Sequence, residues 1–355
     1  MTQLKVGFTV NWEGRSLDGV EPLQRLRERF PHIPITHFVS AAYFARGGDF
    51  QRIIDAMVPA FTAHDEFGLL LNTWESIHGI GAAPEAAPTV IEGEDPVLEV
   101  RYPGIHPQVD RGYTRALSAF EDHQIDTWLQ SSRVLLSGLI KQLVQRQGLS
   151  VEAVLRGFRA GHSMASDAVL ELARARQFRY DASAFDASWA WRRRSVETKS
   201  AFGSWPGMLA DLWGPEAQEA RHLANARCLN ATAGTGVDWR SQPFLILADG
   251  EGELLEMPIN GGLIPPVSPL HLEKIGRALA MLPSASGSYL SFGIHQDTAD
   301  GEIIRMIEET VAKIERAYEV EWATLASIAD GLSAAKQADA FPLRGRLPRA
   351  PRVRY

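Results

Sequence analysis

Short apolar runs alternate with segments of helical periodicity along nearly the whole chain. Apolar residues occupy every second position from Leu4 to Val10, which is the pattern of a strand. Residues 17–30 then show helical spacing, and residues 33–40 form a second apolar run. Alternation of this kind, sustained over about 330 residues, predicts an α/β fold with a parallel sheet, open or closed.

The same order continues towards the end of the chain. Helical spacing predicts further helices over 49–62, 125–143 and 303–318. Apolar runs predict further strands at 67–73, 154–161, 178–184, 253–258, 288–295 and 319–323.

Two long segments interrupt this order, at 79–115 and 186–250. We interpret them as loop excursions, because loops this long inside a compact domain usually serve a function. The expected organisation is a single domain over residues 1–335, followed by a basic tail rich in Pro and Arg at 336–355.

Composition and charge exclude several classes of function. A hydrophobic content of 45% and a charged content of 22% are typical of a globular protein, and a formal charge of −7 gives no electrostatic reason to bind nucleic acid. No stretch approaches the roughly 20 apolar residues of a membrane helix. The single cysteine, Cys228, excludes an internal disulfide and a multi-thiolate metal site. Because the N-terminus lacks the pattern of a signal peptide, we expect a cytoplasmic protein.

Polar side chains recur where the predicted strands end. Ligands of parallel α/β proteins bind at the carboxyl ends of the strands, so these positions predict a site. For each residue alone, capping a helix or fixing a loop is the alternative. The residues are Asn11, Trp12 and Glu13 after the first strand, Asn72, Trp74 and Glu75 after the third, Arg159 and His162 after the fourth, Asp181 after the fifth, and His295 and Asp297 after the seventh.

Several short segments follow one another in a recognisable order. They are the end of the first strand at 9–14, Ile35-Thr36-His37-Phe38-Val39, residues 65–74, Phe158-Arg159-Ala160-Gly161, Tyr180-Asp181-Ala182-Ser183, Leu255-Glu256-Met257-Pro258 and the late His295. In this order and spacing they resemble the NodB-homology polysaccharide deacetylases, carbohydrate esterase family 4, with its allantoinase-like relatives. The resemblance covers most of residues 4–330.

The resemblance implies a deformed (β/α)7-type barrel and a hydrolase that cleaves an amide such as an N-acetyl group. In that family one Asp and two His hold a divalent metal that activates water, a carboxylate serves as base and the late His as acid. This sequence departs from the pattern at the ligand positions, which correspond to Asn11, Leu70 and Asn72. Leucine offers no ligand atom and an amide is a poor substitute for imidazole or carboxylate. We therefore expect no metal and no other cofactor.

The remaining matched residues predict an acid/base site that works without a metal. We expect Glu13 to act as the base, with a pKa raised by desolvation against Trp12, and His295 to act as the acid. Arg159 would neutralise a developing oxyanion or hold a carboxylate. Asp181 completes the expected catalytic set, although a purely structural ion pair between Arg159 and Asp181 is an alternative.

Eight further residues are expected to contact the substrate. For His37, which follows Ile33 and Ile35 in strand alternation, a hydrogen-bonded core histidine is the alternative. For the tryptophans, packing in the core is an alternative to stacking on a sugar. The eight residues are Asn11, Trp12, His37, Asn72, Trp74, Glu75, His162 and Asp297.

Three functions are left open by the sequence. The favoured one is metal-independent hydrolysis of a non-peptide C–N (amide) bond on a sugar derivative or small metabolite. The second is a metal-dependent deacetylase with unusual ligands, such as Glu13 with His37 or Glu75 with His78. The third is a catalytically silent protein that binds a carbohydrate or metabolite on the same fold. The expected partner is a small-molecule or carbohydrate substrate, with neither nucleic acid nor membrane, and a homo-oligomer stays open.

Overall fold

The structure is a computed structural model that describes most of the chain. Residues 337–355 of the expected tail, most of the two expected excursions, and Cys228 lie outside the described residues. The described residues are 3–78, 97–104, 106–113, 117, 120–147, 155–163, 165, 167–184, 239–249, 252–264, 267–281 and 288–336.

Ten of the described strands form one curled sheet, a half-barrel with helices around it. Its order is β10-β11-β1-β2-β3-β6-β7-β9-β8, and β12 also pairs with β1. All neighbours are parallel except β8 and β9, and the antiparallel pair β4–β5 stands apart. The strands are β1 (Leu4–Trp12), β2 (Ile35–Val39), β3 (Glu66–Leu71), β4 (Leu98–Val100), β5 (Gln108–Asp110), β6 (Gly157–Ala160), β7 (Tyr180–Asp181), β8 (Phe244–Asp249), β9 (Gly252–Glu256), β10 (Gly262–Leu263), β11 (Ser288–His295) and β12 (Val320–Trp322).

Helices connect the parallel strands, and local signals fix where several of them begin. The side chains of Asp49, Ser268 and Asp300 accept hydrogen bonds from backbone N–H groups in the first turn of their helices, as N-caps do. None of the described helices is long and apolar enough to cross a membrane. The helices are α1 (Val20–Arg29), α2 (Ala42–Ala45), α3 (Phe50–Met57), α4 (Glu75–His78), α5 (Asp122–Gln147), α6 (Asp167–Ala175), α7 (Pro269–Ala280), α8 (Gly301–Ala317) and α9 (Leu325–Lys336).

The sheet is buried on both faces, with different chemistry on each. The outward side chains of β1, such as Phe8 and Val10, join the large apolar cluster beneath the helices. The inward face carries a second apolar cluster that includes Phe38, Leu70 and Tyr180, and Leu325 of α9 belongs to it. Since strand side chains alternate between the faces, Thr9 and Asn11 lie inward with this second cluster.

Glu66 fixes α9 against the inner face of the sheet. Its carboxylate accepts hydrogen bonds from the Tyr180 hydroxyl at 2.5 Å, from Thr36 Oγ1 at 3.0 Å and from the backbone N–H of Ala326 at 2.9 Å. Burial raises the pKa of Glu66 despite these donors. The C-terminal helix is therefore tied to β2, β3 and β7 at once.

Two amide side chains bridge β11 to the segments around β8 and β9. Gln242 accepts from the backbone N–H of Tyr289 at 2.7 Å and donates to its carbonyl at 3.2 Å. Asn260 donates to the same carbonyl at 2.9 Å and accepts from the N–H of Ser291 at 2.8 Å. These amides satisfy backbone groups of β11 as a neighbouring strand would.

The expected α/β barrel is confirmed, and the eight strands expected from apolar runs are all present. The strand expected at 178–184 is shorter, since β7 covers only two residues. The sequence missed the β4–β5 hairpin within 79–115, β8 within 186–250 and the two-residue strand β10. Three-residue strands such as β4 and β5 are too short to show alternation, which explains why the hairpin was missed.

A buried ion pair behind β2 connects α1 to the sheet. The Asp65 carboxylate binds the guanidinium of Arg27, accepts from the N–H of Ile35 at 2.9 Å and contacts His37 Nε2 at 3.3 Å. Burial alone would raise the pKa of Asp65, but His37 and Arg27 hold it below its usual value. Removal of this carboxylate would leave a cation buried without its partner.

We expect the substitution Asp65→Asn to lower the free energy of unfolding by about 3–5 kcal/mol, the typical effect of breaking a buried ion pair. Urea unfolding at neutral pH measures it. Asp55→Asn is the matched control, because Asp55 pairs with Arg146 on the surface, and it should change nothing measurable. Equal stability of the two variants would contradict the role given to Asp65.

Candidate functional site

The candidate site lies at the carboxyl ends of β1 and β11. These two strands pair in parallel, and the register sets Asn11 opposite His295. Phe292 and Ile294 pack in the outer cluster, as the alternation of β11 predicts. The chain leaves β1 directly into Glu13, so its side chain can reach His295 across the end of the sheet.

The Glu13 carboxylate is the centre of this site. His295 Nδ1 lies 2.8 Å from Glu13 Oε1, and Asn72 Nδ2 donates to Glu13 Oε2 at 2.6 Å. Burial and the charge of Glu13 raise the pKa of Tyr113, whose hydroxyl lies beside the same carboxylate. Only 6% of the Glu13 side chain is exposed, against 33% for His295, so the histidine forms the open side of the pair.

The backbone that follows Glu13 is held from several directions. The indole Nε1 of Trp74 donates to the carbonyl of Glu13 at 2.8 Å, and Asn72 Nδ2 reaches the same oxygen at 3.3 Å. The next carbonyl, that of Gly14, accepts from Arg46 and Tyr102. This backbone turns with φ of +85° at Gly14, a conformation that favours glycine. The position of the Glu13 side chain is therefore set by its surroundings.

Gly161 leaves the space in which the Asn72 amide lies. A Cβ atom at position 161 would fall 2.2 Å from Asn72 Oδ1, which is far inside van der Waals contact. Position 161, directly after β6, therefore requires glycine, because only glycine leaves room for the Asn72 amide that contacts Glu13. A side chain at this position would displace the amide that donates to Glu13.

The Glu13–His295 pair favours the charged form of the histidine. Burial lowers the pKa of His295, but the hydrogen bond and the charge of Glu13 outweigh it, and the pKa is raised above its usual value. Burial and the neighbouring charge of Glu13 raise the pKa of Asp297, whose carboxylate lies 3.6 Å from Arg15. The mouth of the site therefore holds two carboxylates, Glu13 and Asp297, beside the basic side chains of His295 and Arg15.

Arg159 crosses the inside of the barrel one layer deeper than Glu13. Its Nη1 donates to Asn11 Oδ1 at 2.5 Å and to Thr9 Oγ1 at 3.3 Å, and its Nε donates to the carbonyl of Ala182 at 2.8 Å. The guanidinium lies 4.0 Å from the ring centroid of Phe38. Burial lowers the pKa of Arg159 to about 10, so it stays protonated at neutral pH.

Arg159 and Asp181 do not form the direct ion pair that was the alternative expectation. The Asp181 carboxylate instead accepts from the hydroxyl of Ser183 at 2.6 Å and from its N–H at 3.2 Å. That hydroxyl in turn accepts from the N–H of Ala160 at 2.8 Å, so Asp181 braces the ends of β6 and β7. Asp181 acts on Arg159 only through its charge, from beyond 4.0 Å.

Trp12 and His37 lie in the core rather than at the mouth, and they contact each other there. Neither side chain has exposed surface, and Trp12 Nε1 donates to His37 Nδ1 at 3.0 Å. Burial lowers the pKa of His37 and so favours its neutral form, with Nε2 facing Asp65. Trp12 therefore faces the side of β1 opposite to Glu13 and cannot desolvate the carboxylate.

Only some of the remaining residues that were expected to bind substrate lie near Glu13. Asn72, Trp74 and Asp297 lie around Glu13, whereas Glu75 is exposed on α4. His78, its expected partner in a metal site, is buried and stacks on Trp128 at 4.2 Å. The side chain of His162 lies outside the described part of the structure.

The metal that the resemblance implies does not fit the residues at its expected ligand positions. The amide oxygen of Asn11 already accepts a hydrogen bond from the buried guanidinium of Arg159, so a permanent cation lies at the first of these positions. Leu70 presents only carbon atoms, and the Asn72 amide donates towards Glu13. Within the described residues, no three His, Cys, Asp or Glu side chains are arranged to hold a metal ion.

The fold of this chain is the NodB-like fold of polysaccharide deacetylases and allantoinase. A protein from Mycobacterium smegmatis that carries the name polysaccharide deacetylase matches with a TM-score of 0.51 at 13% identity, over 98% of this chain and 96% of that one. A second, from Pseudomonas aeruginosa PAO1, has a TM-score of 0.52 at 12% identity, over 96% and 93%. Puue allantoinase has a TM-score of 0.51 at 12% identity, over 94% and 91%.

Identity this low establishes the fold alone. No protein-family model and no curated protein matches the sequence. The expected resemblance to the NodB-like proteins is confirmed at the level of fold, and the chemistry of the site has to be inferred from its own residues.

Tyr113 is the member of the site that the sequence did not reveal. It contacts Glu13 from the segment after β5, packs on Trp74 at 4.8 Å between centroids, and lies beneath the guanidinium of Arg15. Its segment has no periodicity and belongs to an expected loop excursion. Only the tertiary approach of the β4–β5 hairpin to residues 73–75 could have indicated it.

The substitution Glu13→Gln should lower the pKa of His295, because burial and Arg159 are then opposed only by the charge of Asp297. Titration of the imidazole resonances by NMR measures this. In the unchanged protein the stability supplied by this charge is complete below about pH 6.5 and is lost as pH rises through the raised pKa. A pKa that stays raised in the variant would show that Glu13 is not its cause.

Proposed function

We propose that this protein is a hydrolase of a non-peptide C–N bond, acting on an amide of a sugar derivative or small metabolite. The observation that carries the proposal is the hydrogen-bonded pair of Glu13 and His295 at the carboxyl ends of β1 and β11. The solved structures that share the fold carry the names polysaccharide deacetylase and allantoinase, which favours the same class of bond. The proposed reaction requires no metal.

Glu13 is proposed to accept a proton from the attacking water. Its Oε1 lies 2.8 Å from His295, the more exposed member of the pair, so the carboxylate lies next to the open side of the site. From there it can accept a proton from water as the water oxygen attacks the carbonyl carbon.

His295 is proposed to protonate the leaving nitrogen. Its Nδ1 faces Glu13, so the proton on Nε2 is the one that can be transferred to a substrate. The raised pKa keeps the ring protonated closer to neutral pH, as a general acid requires. The C–N bond then breaks and releases a neutral amine. At this point Glu13 has gained one proton and His295 has lost one. Exchange of protons with solvent restores both groups.

The test is turnover on a panel of N-acetyl sugars, ureides and N-acyl amino acids. Glu13→Gln and His295→Gln should each lower turnover by roughly 10²–10⁴-fold, the usual contribution of a positioned acid or base, with nearly unchanged thermal midpoints. His32→Gln is the matched control, because His32 also contacts a glutamate, Glu315, but on the surface. A folded protein without activity on every class would favour a silent binding protein, and full activity in either site variant would place the chemistry elsewhere.

Metal removal tests the proposal that the reaction requires no metal. Dialysis against a chelator should leave turnover unchanged, and added Zn²⁺ or Mn²⁺ should not raise it, because Asn11, Leu70 and Asn72 do not provide a ligand set. Elemental analysis of the purified protein accompanies the assay. Loss of turnover on chelation, restored by one of these metals, would support a metal-dependent deacetylase instead.

A further inference from the structure

Arg159 carries a buried positive charge that no carboxylate among the described residues contacts. Its Nη2 atom is buried and has no hydrogen-bond partner within the described residues, and no carboxylate oxygen there lies within 4.0 Å of the guanidinium. A buried cation without a paired anion is unfavourable, so such residues are normally paired. Two arginines with buried side chains follow this rule, Arg27 through Asp65 and Arg46 through Asp110.

The neighbouring acids are committed to other groups. Asp181 is bonded to Ser183, Glu13 to His295, and Asp297 lies against Arg15. Asp181 and Glu13 stabilise the charge on Arg159 from a distance, but neither reaches Nη2. Within the described part of the chain, Nη2 of Arg159 is thus left as a buried donor that an incoming group can satisfy.

A second polar atom in the site is left without a partner. The amide oxygen of Asn72 is buried and accepts no hydrogen bond within the described residues, although Nδ2 of the same amide donates to Glu13. An unsatisfied acceptor beside the proposed base suits the N–H of a substrate amide. The site therefore offers an acceptor near its acid/base pair and a cationic donor deeper inside.

We propose that the substrate is an anionic acylamino compound whose carboxylate pairs with Nη2 of Arg159. This inference rests on the proposed function, whose acid/base pair defines where the amide lies. Asn11, which contacts Arg159, lies two residues before Glu13 at the end of β1, a separation along the chain of about 6–7 Å. That spacing suits a carboxylate one to three carbons from the scissile nitrogen. An anion that reaches this depth has left bulk water, which strengthens its pairing with the guanidinium.

The test is binding, measured by calorimetry with N-acetylglycine and N-acetyl-β-alanine, each against its uncharged primary amide. At least one acid should bind about 10- to 100-fold more tightly than its amide, the effect of a hydrogen bond to a charged group. Arg159→Gln should abolish this preference. Arg15→Gln, at the mouth and 45% exposed, is the matched control and should retain it.

A second variant covers the case in which Arg159→Gln does not fold. Asn11→Asp adds a carboxylate to the existing contact with Arg159, so it should remove the preference for the acid while keeping the arginine. The measurement is made with a chelator present. Equal binding of acid and amide to the unchanged protein would overturn the inference, and so would a preference that survives both variants.

Binding also separates this inference from the proposed function. A preference for the acid that depends on Arg159, in a protein without turnover, would uphold the anion site and contradict the hydrolase. Turnover of neutral amides as fast as of acids would uphold the hydrolase and contradict the anion site.

Discussion

The parallel pairing of β1 with β11 and β2 is the constraint on which the candidate site depends. β1 is buried on both faces, so its outward residues have to meet the helices and its inward residues the barrel interior. A shift of one residue in the pairing register would move the outward side chains of β1 inward and the inward ones outward. The register that buries Phe8 and Val10 outward therefore also sets Asn11 inward, opposite His295, and brings Glu13 to the mouth.

Charge in the site is organised by depth. At the mouth Glu13 binds His295 and Asp297 lies near Arg15, so positive and negative groups occur together. Deeper in the barrel Arg159 is held by neutral acceptors, the side chains of Thr9 and Asn11 and a backbone carbonyl. An acid/base pair above a cation suits a ligand with a reacting amide at one end and a negative charge at the other. The proposed function and the proposed substrate class both follow from this arrangement.

The same fold is used here with a different site from the one that the NodB-like pattern implies. At the expected ligand positions the chain has two amides and a leucine, and the buried guanidinium of Arg159 contacts one of the amides. A fold fixes where strand ends meet, whereas the side chains at those ends decide the chemistry. Likeness to deacetylases and allantoinase thus establishes the scaffold, and Glu13, His295 and Arg159 carry the argument for function.

Most strands and several helices could be predicted from the sequence alone, because hydrophobic periodicity depends only on residues close together in the chain. The apolar runs at 4–10 and 288–295 predicted both β1 and β11. Strand ends also indicated Glu13, Asn72 and Asp297 as neighbours, since parallel strands bring their carboxyl ends to one edge.

Only the tertiary structure decided which of these polar groups act together. Periodicity could not separate His37, which is bonded to Trp12 and Asp65 in the core, from His295 at the mouth, because both are polar residues on strands. Tyr113 reaches Glu13 from a hairpin that has no periodic signal. Hydrogen bonds and burial, such as those of Arg159 between β1, β6 and Ala182, depend on residues far apart in the chain, and no local pattern encodes the distances between them.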